Sequence, residues 1–160
     1  MAATDLDDLN NFETHIESAA VTFLNTATGI SVVRTVVEDS LVTPRIEVQL
    51  QMDDANEPFA PRNGGADSSA QDYRSYGANF LANLVTDNAT GGASAHAGYR
   101  SEIRTQLMRT ATNWDSSTLP YYDMKLIRPL GAEYETDGDM NVTQLSWQII
   151  FEIRDDAWPA

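Results

Sequence analysis

A chain of 160 residues is long enough for one domain with one hydrophobic core, and too short for two domains of ordinary size. It contains no cysteine, which excludes disulfides, thiol catalysis and zinc sites built on cysteine. Its 24 acidic and 10 basic residues give a net charge of -14, which disfavours binding to the phosphate backbone of nucleic acids. We therefore expect a single domain over residues 1–160 with no specific nucleic-acid binding.

The type of basic residue is unusual, because Lys125 is the single lysine and the other basic residues are all arginine. A Lys-poor, Asp-rich composition is typical of proteins from salt-loving organisms, in which high ionic strength screens repulsion between surface carboxylates. An acidic protein of an ordinary mesophile is the equal alternative. The N-terminus is acidic and no apolar run is long enough to span a bilayer, so we expect neither a membrane segment nor a secretion signal.

The N-terminal part of the chain predicts an amphipathic helix from about Leu6 to Ala27. Apolar residues recur along it every three or four positions, at Leu9, Phe12, Ile16, Ala19, Ala20, Phe23 and Leu24. Two strand-like segments follow, Ile30 to Val37 and Arg45 to Met52, and the second alternates apolar with polar residues without a fault. We expect these two strands to form a hairpin.

Residues 53–72 contain two prolines, two glycines and no hydrophobic period, which predicts a long loop. Such a loop is often a binding segment, and a merely tolerated surface loop is the equal alternative. If it binds a partner, its candidate contacts are Asp53, Asp54, Phe59 and Arg62. The C-terminal residues 155–160 form a short tail whose Trp158 is a further candidate, either folded onto the domain or held by a partner.

The segment from about Arg74 to Asp87 fits either a helix or a strand covered on both faces, and we favour the strand. A Gly/Ala/Ser loop then leads to a second helix, from about Ala95 to Ala111. After a turn at 113–118, the segment from Tyr121 to Arg128 predicts a strand. Three of its side chains alternate onto one face: Tyr122, Met124 and Leu126.

The closing part of the chain predicts a β-hairpin. Asp137 and Gly138 suit its turn, since glycine readily takes the positive φ that such turns need. The predicted fold class is α+β, in the order α-β-β-β-α-β-β, with two helices packed on a mostly antiparallel sheet. In the last strand, alternation places five apolar side chains on one face: Leu145, Trp147, Ile149, Phe151 and Ile153.

Side chains that could carry catalysis or hold a metal form no recognisable motif. The two histidines, His15 and His96, lack the spacing of metal ligands, and we interpret them as surface or helix-end residues. Asp137, Asp139 and Asn141 alternate as in a calcium loop, but no bidentate acid follows at the required distance. We therefore expect no enzyme activity, no metal site and no cofactor.

The remaining functional signals concern assembly. Arg100, Arg104 and Arg109 lie on the second predicted helix, and a guanidinium can bind a carboxylate through two hydrogen bonds. These arginines are candidates for an interface with acidic residues of a neighbouring copy, for instance those of the first helix. A solvated helix face with local ion pairs is the alternative for each of them.

Over nearly its full length, the chain resembles the tail terminators of long-tailed viruses, which cap the tail tube. The resemblance rests on the order of elements and on a final hairpin in which Y-E-T-D-G-D-M leads to L-S-W-Q-I-I-F-E, close to Glu152 and Asp155. It implies a homo-oligomer, a hexameric ring, at the head-proximal end of the virion tail, formed in the host cytoplasm during assembly. The implied partners are the tail tube protein and a neck or connector protein.

A ring lined by acidic residues would let DNA pass through without binding it, because like charges repel. Combined with the Lys-poor composition, the resemblance predicts a virus of salt-loving archaea. Two alternatives stay open. A neck or head-completion protein of the same kind of virion would share the ring, and a small monomeric ligand-binding domain would instead need a pocket with converging polar groups.

Overall fold

The computed structural model describes residues 10–34, 42–51, 61–62, 73–114 and 122–154, and the structural statements below concern these residues. Helix α1 spans Asn10–Thr28 and ends at Gly29, whose φ of 70° lies in the left-handed region that glycine favours. The buried face of α1 carries the apolar residues that the three- and four-residue spacing predicts: Ile16, Ala19, Ala20 and Leu24.

Six strands form one sheet in the order β1-β2-β4-β6-β5, with β3 paired to β4 off this path. The predicted α+β class and the predicted order of the main elements are confirmed. The bounds of the strands are β1 Ser31–Arg34, β2 Arg45–Gln51, β3 Pro61–Arg62, β4 Tyr73–Asp87, β5 Tyr122–Asp137 and β6 Met140–Arg154.

Strands β1 and β2 are parallel, with Ser31 opposite Arg45 and Arg34 opposite Val48. The predicted hairpin between them is therefore wrong. The connecting residues 35–44 are far more than the two to five that a hairpin turn uses, and they allow the chain to return to the same end of the sheet. The remaining strand pairs are all antiparallel.

The central strand β4 confirms the strand interpretation of this ambiguous segment. Alternate side chains of β4 are buried beneath the helices: Tyr76, Ala78, Phe80, Ala82 and Leu84. Helix α1 contacts β1 and β2, and the second helix contacts β4 and β6. The opposite faces of these strands carry mainly half-buried polar residues, so helices cover one face of the sheet only.

Helix α2 spans Gly92–Met108, and a single helical turn, α3, spans Thr110–Asn113. The break at Arg109 divides the one helix that the sequence predicts. Trp114 then returns to the core, where its indole Nε1 donates to the carbonyl of Leu107 at 3.0 Å and its ring meets Phe23 edge to face.

Strand β5 continues beyond Arg128, where the predicted strand ends, through Pro129, Leu130 and Gly131 and into the hairpin. Its pairing with β6 shifts register at Lys125 and again at Leu130. The prediction that Leu126 shares the inward face of Met124 is wrong, because the extra residue at the first bulge turns Ile127 inward and leaves Leu126 exposed.

The hairpin turn consists of Gly138 and Asp139, between the paired residues Asp137 and Met140. Gly138 has a φ of 61° and Asp139 has no positive φ, which is the pattern of a type II′ turn. The predicted hairpin and the role of Gly138 in its turn are thus confirmed, but the turn lies one residue later than predicted, because Asp137 belongs to β5. Four of the five predicted inward side chains of β6 are buried, namely Leu145, Trp147, Ile149 and Phe151, and that of Ile153 lies outside the described part.

The predicted loop 53–72 is not wholly irregular. Pro61 and Arg62 form the two-residue strand β3, which pairs with Arg74 and Tyr73 of β4. A pattern-based prediction misses a strand of this length, because two residues show no alternation. The rest of that segment lies outside the described residues.

Candidate functional site

The face of the sheet that carries no helix forms a concave groove of about 750 Å³. It is lined by residues of β2, β4, β5 and β6, and we call it the sheet groove. Its lining residues are Arg45, Glu47, Asn83, Val85, Glu133, Tyr134, Glu135, Asp137, Met140, Val142 and Gln144.

Strand register places these residues in rows across the sheet. One row runs from Glu135 of β5 through Val142 and Val85 to Arg45 of β2. The next row consists of Glu133, Gln144, Asn83 and Glu47. Since successive side chains of a strand point to opposite faces, residues two apart on β5 share the groove.

The groove is acidic along its β5 side. Glu133, Glu135 and Asp137 are exposed there at alternate positions. On the opposite side, the Arg45 guanidinium Nε lies 2.6 Å from the Glu47 carboxylate. The single basic residue of the lining is therefore already paired, and the carboxylates of β5 give the groove an excess of negative charge.

A second charged surface lies on the other side of the molecule, on α2. Arg100, Arg104 and Met108 follow one another at four-residue steps and so share one face of the helix, and Arg109 follows directly. Arg104 and Arg109 are exposed, Arg100 is half-buried, and Met108 is 43% exposed. We call these four residues the arginine surface. No salt bridge joins its arginines to another residue within the described part of the chain.

Beneath the start of α2 lies a small cluster of buried polar side chains. His96 is 1% exposed, and its Nδ1 lies 2.8 Å from the hydroxyl of Thr86 while its Nε2 lies 2.6 Å from the hydroxyl of Thr143. Burial, followed by the positive charge of Arg100, lowers the pKa of His96 below its ordinary value. The Tyr134 ring meets the imidazole edge to face.

The interpretation of His96 as a surface residue is thus wrong, whereas its predicted position near a helix end is confirmed, since it is the fifth residue of α2. Helix α2 begins close to the end of β4 and the start of β6, so position 96 faces the sheet together with Ile103 and Leu107, about two and three turns further on. His15, by contrast, is half-buried on α1.

Among the described residues, no group of three or more His, Asp or Glu side chains is placed to hold a metal ion. Within the same residues, neither long helix is apolar enough to cross a bilayer.

The sequence-predicted site residues are distributed unevenly over the described chain. Arg100 and Arg104 share one face of α2, and Arg109 caps the end of the same helix. Arg62 lies in β3, but its side chain is not described. Asp53, Asp54, Phe59 and Trp158 lie outside the described residues.

Sequence reasoning missed the acidic residues of the groove. A signal was present, because Glu133, Glu135 and Asp137 alternate with uncharged residues along the first strand of the hairpin. To recognise these three residues as part of a groove, one also needs the register between β5, β6 and β4, which cannot be read from the sequence.

No protein-family model matches the chain, and no curated protein sequence matches it. Solved structures do match. One of them is a chain of the virion of a native gene transfer agent particle, which is 14% identical, with an alignment that covers 94% of this chain and 97% of that chain and a TM-score of 0.48.

Proposed function

We propose that this chain is a structural subunit of a virion, and specifically the tail terminator, which caps the head-proximal end of the viral tail tube as a hexameric ring. In this role it ends polymerisation of the tube and joins the tail to the neck, after forming in the host cytoplasm. The resemblance in sequence supports the specific role. The order α-β-β-β-α-β-β that the resemblance requires is present, with the two-residue β3 and the single turn α3 added.

The observation that carries the proposal is the uncovered edge strand β5. Three large apolar side chains are exposed along it: Leu126 at 38%, Leu130 at 52% and Tyr134 at 49%. In the described sheet, the outer edge of β5 has no neighbouring strand. A long exposed edge with apolar side chains favours association with another chain, which suits a subunit that other copies or partners cover.

The sheet groove also suits a protein surface better than a small molecule. Sites for small ligands are mostly apolar and bury most of the ligand, whereas this groove is open and mainly polar. A small ligand-binding domain is therefore the weaker candidate.

The net charge of -14 supports the proposal that DNA passes through the channel of the ring. A ring built from such subunits presents carboxylates to its channel, and DNA passes through it without binding because like charges repel. Imaging of a ring with a basic channel would contradict this part.

The oligomeric state is the first test. We expect light scattering on the purified protein, in molar salt and in dilute buffer, to show a ring-sized oligomer in at least one condition. The tube protein encoded with it should then form tubes that carry a ring at one end and stop growing, as seen by electron microscopy.

A protein that stays monomeric and neither binds nor caps the tube contradicts the proposal. Binding to a connector ring without any effect on the tube would assign the chain instead to the neck or to head completion, the second candidate from the sequence.

A further inference from the structure

We infer that the arginine surface of one copy binds in the sheet groove of the next copy, so that α2 lies across β5 and β6 of its neighbour. This inference rests on the proposed function, since it specifies the contact through which the copies form a ring. It assigns a role to Arg100, Arg104 and Arg109, and it names their partners as Glu133, Glu135 and Asp137.

The two surfaces are complementary in charge. Three guanidinium groups lie on the arginine surface, and three exposed carboxylates lie along the β5 side of the groove. Within the described chain, none of these six side chains takes part in a salt bridge. Arginine binds carboxylates through paired, charge-assisted hydrogen bonds, which are among the stronger polar contacts at interfaces.

The apolar parts of the two surfaces also match. Met108, 43% exposed, lies on the same helix face as Arg100 and Arg104. In the groove, Val142 and Val85 lie side by side in the row that begins at Glu135. Methionine is flexible and adapts to such shallow apolar surfaces, so it suits the centre of a contact whose rim is charged.

The spacing of the charges agrees along the length of the contact. From Arg100 to Arg109 the helix advances about 14 Å, at about 1.5 Å per residue. From Glu133 to Asp137 the strand advances about 14 Å, at about 3.4 Å per residue. Along the axis, Arg100 and Arg104 are about 6 Å apart, Arg104 and the C-cap residue Arg109 are about 7.5 Å apart, and successive carboxylates of the strand are about 7 Å apart, so the charges of the two surfaces have a similar spacing.

The positions of the two surfaces determine the kind of assembly. The arginine surface belongs to the helices, which cover one face of the sheet, and the groove is the opposite face. A copy that offers its arginine surface to one neighbour therefore still has its groove free for another. Such a contact is heterologous and repeats from copy to copy, which generates a closed ring or a filament.

Two single charge reversals test the contact. Arg104→Glu places a fourth carboxylate against the acidic groove, and Glu135→Arg places a guanidinium against the arginine surface. Each variant alone should need a roughly tenfold or higher protein concentration to assemble than the wild type, because like charges then face each other at every interface. Sedimentation velocity over a dilution series measures this, at the lowest salt at which the wild type assembles.

Mixing the two variants provides the decisive measurement. An Arg104→Glu copy can place its helix in the groove of a Glu135→Arg copy, and the unchanged arginines of the latter can bind the unchanged groove of the former. An equimolar mixture should therefore assemble again, with the two variants alternating around a ring that has an even number of copies. Native mass spectrometry with one variant isotope-labelled identifies this alternation.

A matched control carries the same change of charge outside both surfaces. Ser18 and Asn25 are exposed on α1, and Ser18→Glu combined with Asn25→Glu adds two negative charges, as Arg104→Glu does. This control should assemble like the wild type, and all variants should keep the wild-type circular dichroism spectrum.

Two results would overturn the inference and leave the proposed function intact. In the first, both reversed variants assemble like the wild type. In the second, both variants fold but fail to assemble, and their equimolar mixture fails as well. A wild type that forms no oligomer, alone or with the tube protein, removes the proposed function and this contact together.

Discussion

At the scale of single residues, the surroundings of His96 favour its neutral form. A neutral imidazole donates from one ring nitrogen and accepts at the other, and the hydroxyls of Thr86 and Thr143 can supply both partners. Protonation would place a charge in a buried site near Arg100, which is why the pKa of His96 is lowered.

This lowered pKa predicts how stability depends on pH. Because the folded state holds the proton less tightly than the unfolded state, whose histidine titrates near pH 6.5, the unfolded chain binds more protons below that pH. The contribution of His96 is therefore complete above about pH 6.5 and is lost as the pH falls below it. We expect the melting temperature to decrease between about pH 7.5 and pH 5.5, and to decrease less in His96→Gln. Equal decreases in both proteins would contradict this assignment.

At the scale of elements, a buried carboxylate of α1 joins the helix to strands β1 and β2. The last residue of β1, Arg34, lies opposite Val48, and β2 continues beyond it. There the Glu17 carboxylate of α1 accepts the backbone N–H of Leu50 at 2.7 Å and the Nε–H of Arg34, also at 2.7 Å. Glu17 is 0% exposed, so one buried carboxylate of α1 binds residues of both β1 and β2.

Removal of this carboxylate should destabilise the protein. Glu17→Ala leaves a backbone N–H and a guanidinium without their acceptor, and we expect the free energy of unfolding to fall by about 2–4 kcal/mol. Glu17→Gln retains an acceptor oxygen for Leu50 and should lose about half as much. Urea unfolding measures both, with Ser18→Ala, an exposed position on the same helix and outside both proposed contact surfaces, as a control that should change by less than about 0.5 kcal/mol. A Glu17→Ala variant as stable as this control would contradict the role given to Glu17.

Elements with a clear hydrophobic period could be predicted from the sequence, and contacts between elements could not. The spacing of Ile16 and Leu24 predicts α1, and the alternation from Leu145 to Phe151 predicts β6, because both signals are local. The direction of β1 depends on how the chain returns through 35–44. The exposure of Leu126 depends on a bulge that no local pattern indicates.

The candidate site also has one part that the sequence predicts and another that depends on contacts between elements. Arg100 and Arg104 could be placed on one helix face from their four-residue spacing alone. The groove could not be found from the sequence, because Glu135 and Arg45 are brought into one row across the sheet only by the pairing of four strands. The burial of His96 likewise follows from where α2 begins relative to β4 and β6, which is a tertiary feature.

At the scale of the whole molecule, the net charge of -14 opposes the compact state, because carboxylates on every surface repel one another. Salt reduces this repulsion. The distance over which exposed charges interact falls from about 10 Å at 0.1 M to about 3 Å at 1 M ionic strength.

We therefore expect the melting temperature of the subunit to rise as potassium chloride increases from about 0.1 M to about 1 M. A variant in which Glu133 and Glu135 become Gln and Asp137 becomes Asn carries three fewer charges, and its melting temperature should depend less steeply on salt. Differential scanning fluorimetry compares the two proteins. Identical salt dependence in both would show that screening of these carboxylates is not the cause.

The length of the pairing between β4 and β6 affects the order of events during synthesis. All fifteen residues of β4 pair with β6, although the paired residues are roughly 50–80 positions apart in the chain. The β5–β6 hairpin, closed by a two-residue turn, can form within microseconds, whereas its docking on β4 must close a long loop that includes α2. A nascent chain that has released β4 and α2 from the ribosome already presents its arginines, but its groove forms only once β6 has emerged. For the contact inferred above, an unfinished subunit has no groove that can receive the helix of a neighbour.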